Sequence, residues 1–185
     1  MQFDVRHTPF SRYGSYIAFS RLGPDRCERH GLKPGLWLRC VHGDAAREVF
    51  RLEPLRQGEP TDFQVKATPS VLSLQAPGGR VELCIAEPDL VLIRSEGLGL
   101  RLTLRPGGFN CAVPAPGGRW LVNAATAFRN YTVSAAVGSL RADAPWQEAR
   151  CRHVVLDLLP DPESGQMEAA VEQSVGTRAP RDEMP

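Results

Sequence analysis

The sequence predicts an all-β fold, an antiparallel sandwich without long helices. Short runs rich in β-branched, aromatic and leucine residues recur between turn signals, about every eight to twelve residues. Within the runs apolar and polar residues alternate, which is typical of a sheet with one buried and one wet face. No stretch keeps a helical period over about three turns. We therefore expect two packed antiparallel sheets.

The first three strands are predicted before residue 53. Residues 15–21 (SYIAFSR) are rich in β-forming side chains, and 22–34 is a polar loop containing Gly23-Pro24-Asp25. Residues 36–41 (LWLRCV) alternate weakly and end at the turn His42-Gly43-Asp44. Residues 49–52 (VFRL) resume the strand pattern after it.

The middle of the chain contains the clearest hairpin. Residues 63–67 (FQVKA) alternate cleanly, and 71–74 form a short apolar run. Residues 80–85 (RVELCI) place Val81, Leu83 and Ile85 on one face. Because Pro77-Gly78-Gly79 separates these last two runs, we predict a hairpin across it.

The remaining strands follow the same rule. Residues 90–93 are apolar, and 98–104 (LGLRLTL) place every leucine on one face, with Gly97 and Gly99 marking a turn or bulge. Pro116-Gly117-Gly118 predicts a second hairpin. The last predicted strands are 119–124, 131–137, 154–159 and 167–171. Residues 1–175 are thus predicted as one sandwich domain and 176–185 (GTRAPRDEMP) as a linker or tail.

The composition excludes several classes of function. The 22 basic residues nearly balance the 21 acidic ones, so no long-range field gathers nucleic acid. Twenty of the basic residues are arginines, and the richness in Arg, Ala, Gly and Pro suggests a GC-rich bacterial gene. No apolar run of about 18 residues predicts a membrane span, and no secretory signal is visible at the N-terminus.

The cysteines predict a reducing, cytoplasmic location. The chain has five, an odd number at wide spacing, with no C-x-x-C pair that would indicate a zinc or redox site. We therefore expect free thiols that are mostly buried as small apolar side chains, and no intrachain disulfide.

No catalytic residue, metal site or cofactor is predicted. There is no G-x-S-x-G elbow, and no histidine has a partner that the sequence can place beside it. The triplet His42-Gly43-Asp44 is more typical of a turn than of a metal site. Asp157 lies in an apolar strand, and we expect it to point to the wet face or to pair with an arginine, since an unpaired buried carboxylate is costly.

The candidate binding residues are mainly in the segment 7–16 (HTPFSRYGSY). Phe10, Tyr13 and Tyr16 supply stiff aromatic surface, and Arg12 supplies a planar donor fork, which suits a sugar or a protein surface. Trp37 could stack on a sugar in the same way. The alternative is that the segment is a buried first strand with a glycine bulge, and that Trp37 belongs to the core.

The same segment carries a resemblance. Together with Leu36-Trp37-Leu38-Arg39, Glu96 to Leu102 (EGLGLRL) and Asp143-Ala144-Pro145-Trp146, it resembles bacterial sugar glycosidases similar to the glucosidase and trehalase-like glycoside hydrolases. In that family an N-terminal β-supersandwich precedes a catalytic (α/α)6 barrel that carries the acid and base carboxylates. The resemblance implies a supersandwich-like accessory domain, with no catalytic residue to transfer and a barrel as its partner in cis.

Three functions remain open at this point. An accessory domain of a carbohydrate-active hydrolase should expose an apolar patch where the barrel docks. A free-standing carbohydrate-binding module should show a groove with two or more exposed aromatics. A structural or oligomerisation domain should offer a sheet edge for pairing.

Overall fold

The structure of the chain is a computed structural model that describes residues 14–28, 31–124, 129–147, 150–151 and 153–174. The strands and the one helix within these residues, numbered in chain order, are β1 (Tyr16–Leu22), α1 (Pro24–Glu28), β2 (Gly35–His42), β3 (Ala45–Arg56), β4 (Glu59–Pro60), β5 (Gln64–Ala67), β6 (Leu72–Ala76), β7 (Gly79–Glu87), β8 (Leu90–Glu96), β9 (Gly99–Leu104), β10 (Cys111–Ala115), β11 (Arg119–Ala124), β12 (Arg129–Val137), β13 (Ser139–Asp143), β14 (Trp146–Gln147), β15 (Arg150–Cys151), β16 (Val155–Leu159) and β17 (Gln166–Ser174).

The strands form two large antiparallel sheets, which confirms the predicted all-β sandwich. Sheet A has the order β1-β2-β3-β9-β16-β13, with the short β4 also paired to β3. Sheet B has the order β10-β11-β12-β17-β8-β7-β6-β5, and β14 and β15 form a separate two-stranded pair. The ends of the sheets are therefore β1 and β13 in sheet A, and β10 and β5 in sheet B.

Both predicted hairpins are present. Strands β6 and β7 pair up to Ala76 and Gly79, and strands β10 and β11 pair up to Ala115 and Arg119. Glycine is required at Gly97, where φ is +69° and a Cβ would overlap the carbonyl oxygen of Gly78. This close approach packs the end of β8 against the β6–β7 turn, as expected for a glycine that marks a turn.

The inner faces of the two sheets form one apolar core. Leu100, Leu102 and Leu156 of sheet A are fully buried, and so are Val81 and Val171 of sheet B. Two aromatic rings join the sheets across the core. The ring of Phe50 in β3 meets the ring of Tyr131 in β12 edge to face, with centroids 5.4 Å apart.

The structure differs from the prediction in several places, among them the short strands β4, β14 and β15, which were not predicted. The predicted loop 22–34 contains the five-residue helix α1, because Pro24 fits the first helical position and the Cys27 N–H bonds the Gly23 carbonyl. Strand β3 is twelve residues long, well beyond 49–52. Strand β13 was not predicted, since its sequence SLRAD contains a single large apolar residue. The predicted tail 176–185 lies outside the described residues.

Candidate interaction surface

The outer face of sheet B carries exposed apolar side chains. Strict alternation turns Val113 of β10, Leu121 of β11 and Leu92 of β8 away from the core, while their neighbours Ala112, Val122 and Val91 point inward. The exposed fraction is 36% for Val113 and 46% for each leucine. Val113 and Leu121 are direct cross-strand partners. From β10 to β8 this face spans four strand spacings, roughly 19 Å.

Phe109 is a further exposed apolar residue, and it lies close in the chain to the edge strand β10. It lies in the loop before β10 and is 80% exposed, the largest value among the described large apolar side chains. Its neighbour Asn110 is buried: the side-chain amide donates to the Arg105 carbonyl at 2.7 Å, and the backbone carbonyl accepts from the Cys151 N–H at 2.8 Å. These bonds fix the loop that presents the ring. We call Leu92, Phe109, Val113 and Leu121 the apolar strip.

A shallow groove of about 390 Å³ surrounds Leu92. Its floor is a cross-strand row of small or apolar residues in which Ser134, Ala170, Leu92 and Cys84 are successive register partners. Arg94 and Glu168 form an ion pair at its rim, with an N···O distance of 3.1 Å. The groove is thus apolar inside and charged along one side.

The outer face of sheet A has a different chemistry. Glu53, Arg101, Asp157 and Arg141 are successive register partners across β3, β9, β16 and β13, and we call them the charge ladder. Arg101 donates two hydrogen bonds to the Asp157 carboxylate, at 2.7 and 2.9 Å, and Arg141 donates a third at 3.0 Å. Arg51 pairs with Glu53 at 2.8 Å.

The ladder keeps Asp157 ionised although the residue is only 3% exposed. Burial acts to raise the pKa of its carboxyl, but the hydrogen bonds from Arg101 and then Arg141 outweigh burial and lower the pKa from its usual value. The expected pairing with an arginine is confirmed. The carboxylate is nevertheless buried, because the two guanidinium groups cover it on the outer face.

A buried polar cluster closes one end of the sandwich. The side-chain N–H of Gln173 donates to the Ser15 hydroxyl at 2.5 Å, and its side-chain carbonyl oxygen accepts from the Tyr131 hydroxyl at 3.3 Å. Burial raises the pKa of the nearby Cys40 thiol, against the opposing effect of Arg129. Burial also raises the pKa of Tyr131 well above its usual value. Burial therefore favours the protonated form of both groups.

The predicted binding residues fall into three groups. Phe10, Arg12 and Tyr13 lie outside the described residues. Tyr16 is half-buried at the start of β1, next to the buried Ser15. Trp37 is 2% exposed, and its indole N–H donates to the Lys33 carbonyl at 3.1 Å, so its ring cannot stack on a ligand from solvent. It packs in a small apolar cluster with Leu22, Cys27 and Leu32.

The apolar strip was missed from the sequence, although one signal was present. In β8 (LVLIRSE) the buried positions Val91, Ile93 and Ser95 alternate with Leu92, Arg94 and Glu96. The parity thus assigns Leu92 to the same wet face as two charged residues. A large leucine at a position that faces water is a sign of an interaction surface.

The described residues hold no group of three or more His, Cys, Asp or Glu that could bind a metal ion. His42 and Asp44 are exposed at the β2–β3 turn, where Gly43 has φ +55°. All five cysteines are free thiols.

In the described part of the chain, no helix is long and apolar enough to cross a membrane.

Comparisons with known proteins add little. No family model matches the chain, and no curated protein matches it. One solved structure, described as "Putative kojibiose phosphorylase from human microbiome", aligns with 86% of this chain at 8% sequence identity and a TM-score of 0.34. The chain spans about a third of that structure, 32% of its length.

Proposed function

We propose that this chain is the non-catalytic, N-terminal accessory domain of a carbohydrate-active glycoside hydrolase, and that it packs on its catalytic (α/α)6 barrel in cis. The observation that carries the proposal is the apolar strip. Leu92 and Leu121 each expose nearly half of their surface on the face of one sheet, and covering such side chains stabilises an association by removing apolar surface from water.

The choice of partner rests on the sequence. The segment 7–16 and the runs 36–39 and 96–102 resemble the supersandwich of glycosidases whose catalytic carboxylates lie in a helical barrel. A barrel helix presents an apolar stripe of its own, and the strip offers a complementary surface with the Arg94–Glu168 ion pair at its rim. Phe109 supplies the stiff aromatic anchor that such interfaces concentrate near their hot spots.

The edges of sheet B favour this function over assembly by pairing of that sheet with a strand of another chain. The edge strand β10 contains Pro114, which has no N–H to donate to an added strand. At the other edge of sheet B, β5 carries the exposed Lys66, a charge that opposes edge-to-edge pairing. The face of sheet B is therefore better suited to contact a partner than either of its edges.

A free-standing carbohydrate-binding module is the second candidate. Sugar platforms use two or more exposed rings, and among the side chains that the structure describes Phe109 is the one aromatic residue exposed on this scale. That favours docking of a partner domain over stacking of a sugar on the surface.

We retain Phe10, Arg12 and Tyr13 as contacts of the accessory domain with the barrel, because aromatic and arginine side chains are enriched at hot spots.

The test uses the natural reading frame. This chain and the helical segment encoded beside it are purified separately, and their association is measured by titration calorimetry. Leu92→Ser with Leu121→Ser should weaken binding at least about tenfold, and Arg12→Ala should also weaken it. Lys66→Ser, on the far edge of the same sheet, should leave binding unchanged. A reading frame without a helical segment, or equal binding by all variants, contradicts the proposal.

A further inference from the structure

Sheet A contains a break beside β3. Strand β2 pairs with β3 as far as the partners Leu36 and Leu52, and β4 begins to pair only at Leu55 and Pro60. The stretch of β3 between these two pairings, which includes Glu53, has no strand partner on that side among the described residues. The chain that leaves β4 crosses there towards β5, tied by a bond from the Thr61 N–H to the Pro54 carbonyl at 3.1 Å.

The break opens a cleft of about 430 Å³, within the range of small-molecule sites. Apolar groups from both strands and from the crossing segment form part of the lining, and charged or hydroxyl side chains form the rest. The lining includes Leu36, Arg51, Glu53, Thr61, Asp62 and Phe63.

Arg51 is held in a fixed position in this cleft. Its Nε donates to the Pro34 carbonyl at 3.0 Å, and its Nη1 lies 2.8 Å from a carboxylate oxygen of Glu53. At Gly35 a Cβ would lie 3.1 Å from the Arg51 Nε, so the absence of a side chain there makes room for the guanidinium. Among the described residues Nη2 has no protein partner, which leaves its two N–H groups for a ligand.

The crossing segment supplies acceptors. Asp62 is exposed, and its carboxylate has no hydrogen bond or ion pair to the described residues. Thr61 beside it has a hydroxyl that can donate or accept. One arginine and two carboxylates give the lining a formal charge of −1, and it contains both donors and acceptors. The net negative charge disfavours an anion, and a ligand that offers only donors would leave the Arg51 Nη2 N–H groups unpaired.

We propose that this cleft binds a neutral cyclic polyol of the hexose class. Hydroxyl groups of such a ring can accept from the free Nη2 N–H groups of Arg51 and donate to the Asp62 carboxylate, and its C–H face can pack on the Phe63 ring. This goes beyond the docking function, because the cleft lies in sheet A and the apolar strip in sheet B. Either proposal can therefore fail without the other.

The experiment titrates the 185-residue chain with maltose and follows backbone amide shifts by NMR. Saturable shifts should be confined to Gly35, the middle of β3 and residues 61–63. Asp62→Asn should weaken binding about tenfold, the typical loss for one hydrogen bond to a charged group. Asp44→Asn, an exposed carboxylate at the β2–β3 turn, is the matched control and should bind as the natural chain does.

A charged analogue tests the electrostatics of the lining. Glucuronate should bind more weakly than glucose, because the lining carries a net negative charge. The proposal is overturned if maltose causes no saturable shift at these amides up to its solubility limit, if Asp62→Asn binds it unchanged, or if glucuronate binds more tightly than glucose. Melting curves of both variants establish that they are folded before any loss of binding is interpreted.

Discussion

The two sheets bury similar inner faces of leucine and valine but expose outer faces of different chemistry. On sheet A the charge ladder satisfies its own groups, with three hydrogen bonds converging on Asp157. On sheet B the apolar strip leaves Leu92 and Leu121 each 46% exposed. The two outer faces therefore differ in whether a partner protein can cover them. Covering the ladder would remove water from paired charges, which is costly, whereas covering the strip is favourable.

The largest expected effect is on sheet A. Asp157→Ala removes the acceptor of three hydrogen bonds and leaves Arg101, only 23% exposed, without its partner. We expect a loss of about 3 kcal/mol of unfolding free energy, the low end for breaking a buried pair, because Arg141 is mostly exposed. The melting temperature should fall by roughly 6–12 °C.

The control for this substitution is Asp143→Ala. Asp143 pairs with His153 at 2.8 Å, but both side chains are at least half exposed, so its loss should be small. Equal losses for the two variants would mean that the ladder contributes no more than an ordinary surface ion pair.

The ladder also predicts a pH dependence. The pKa of Asp157 is lowered in the folded chain, because the arginine hydrogen bonds outweigh its burial. Its contribution is therefore fully present above the unfolded value of about 3.9 and is lost as the pH falls through the folded pKa. The stability difference between the natural chain and Asp157→Asn should be constant near neutrality and shrink below about pH 4. Urea unfolding at several pH values measures it, and a difference that persists unchanged at pH 2 contradicts the assignment.

Much of the fold could be predicted from the sequence because local signals and tertiary structure agree. Alternation placed the inner leucines of β9, and the Pro-Gly-Gly motifs placed both hairpins. Strand β13 could not be predicted in this way. Its side chains are half-buried or exposed, and it is held mainly by pairing with β16, a contact distant in sequence.

The candidate surfaces were harder to predict because they depend on strand order. Val113 and Leu121 are brought together by a predictable hairpin, but Leu92 shares their face only because β17 lies between β12 and β8. The break beside β3 likewise results from where β2 ends and β4 begins. Trp37 illustrates the opposite difficulty. Its residue type suits a sugar platform, yet the neighbouring helix α1 contributes Cys27 to a cluster that buries it.

The smallest expected effect on stability is on sheet B. Leu121→Ser removes a side chain that is already half in water, so the unfolding free energy should change by no more than about 1 kcal/mol. The adjacent Val122, 1% exposed on the inner face, is the matched comparison, and Val122→Ser should cost at least about 2 kcal/mol. The two substitutions should also differ in their effect on the exposed surface of the chain. Leu121→Ser should reduce binding of a hydrophobic dye and concentration-dependent self-association of the isolated chain, because it breaks the apolar strip. A large loss of melting temperature for Leu121→Ser would show that its side chain is needed for folding, and the contrast between the two outer faces would then no longer identify a docking surface.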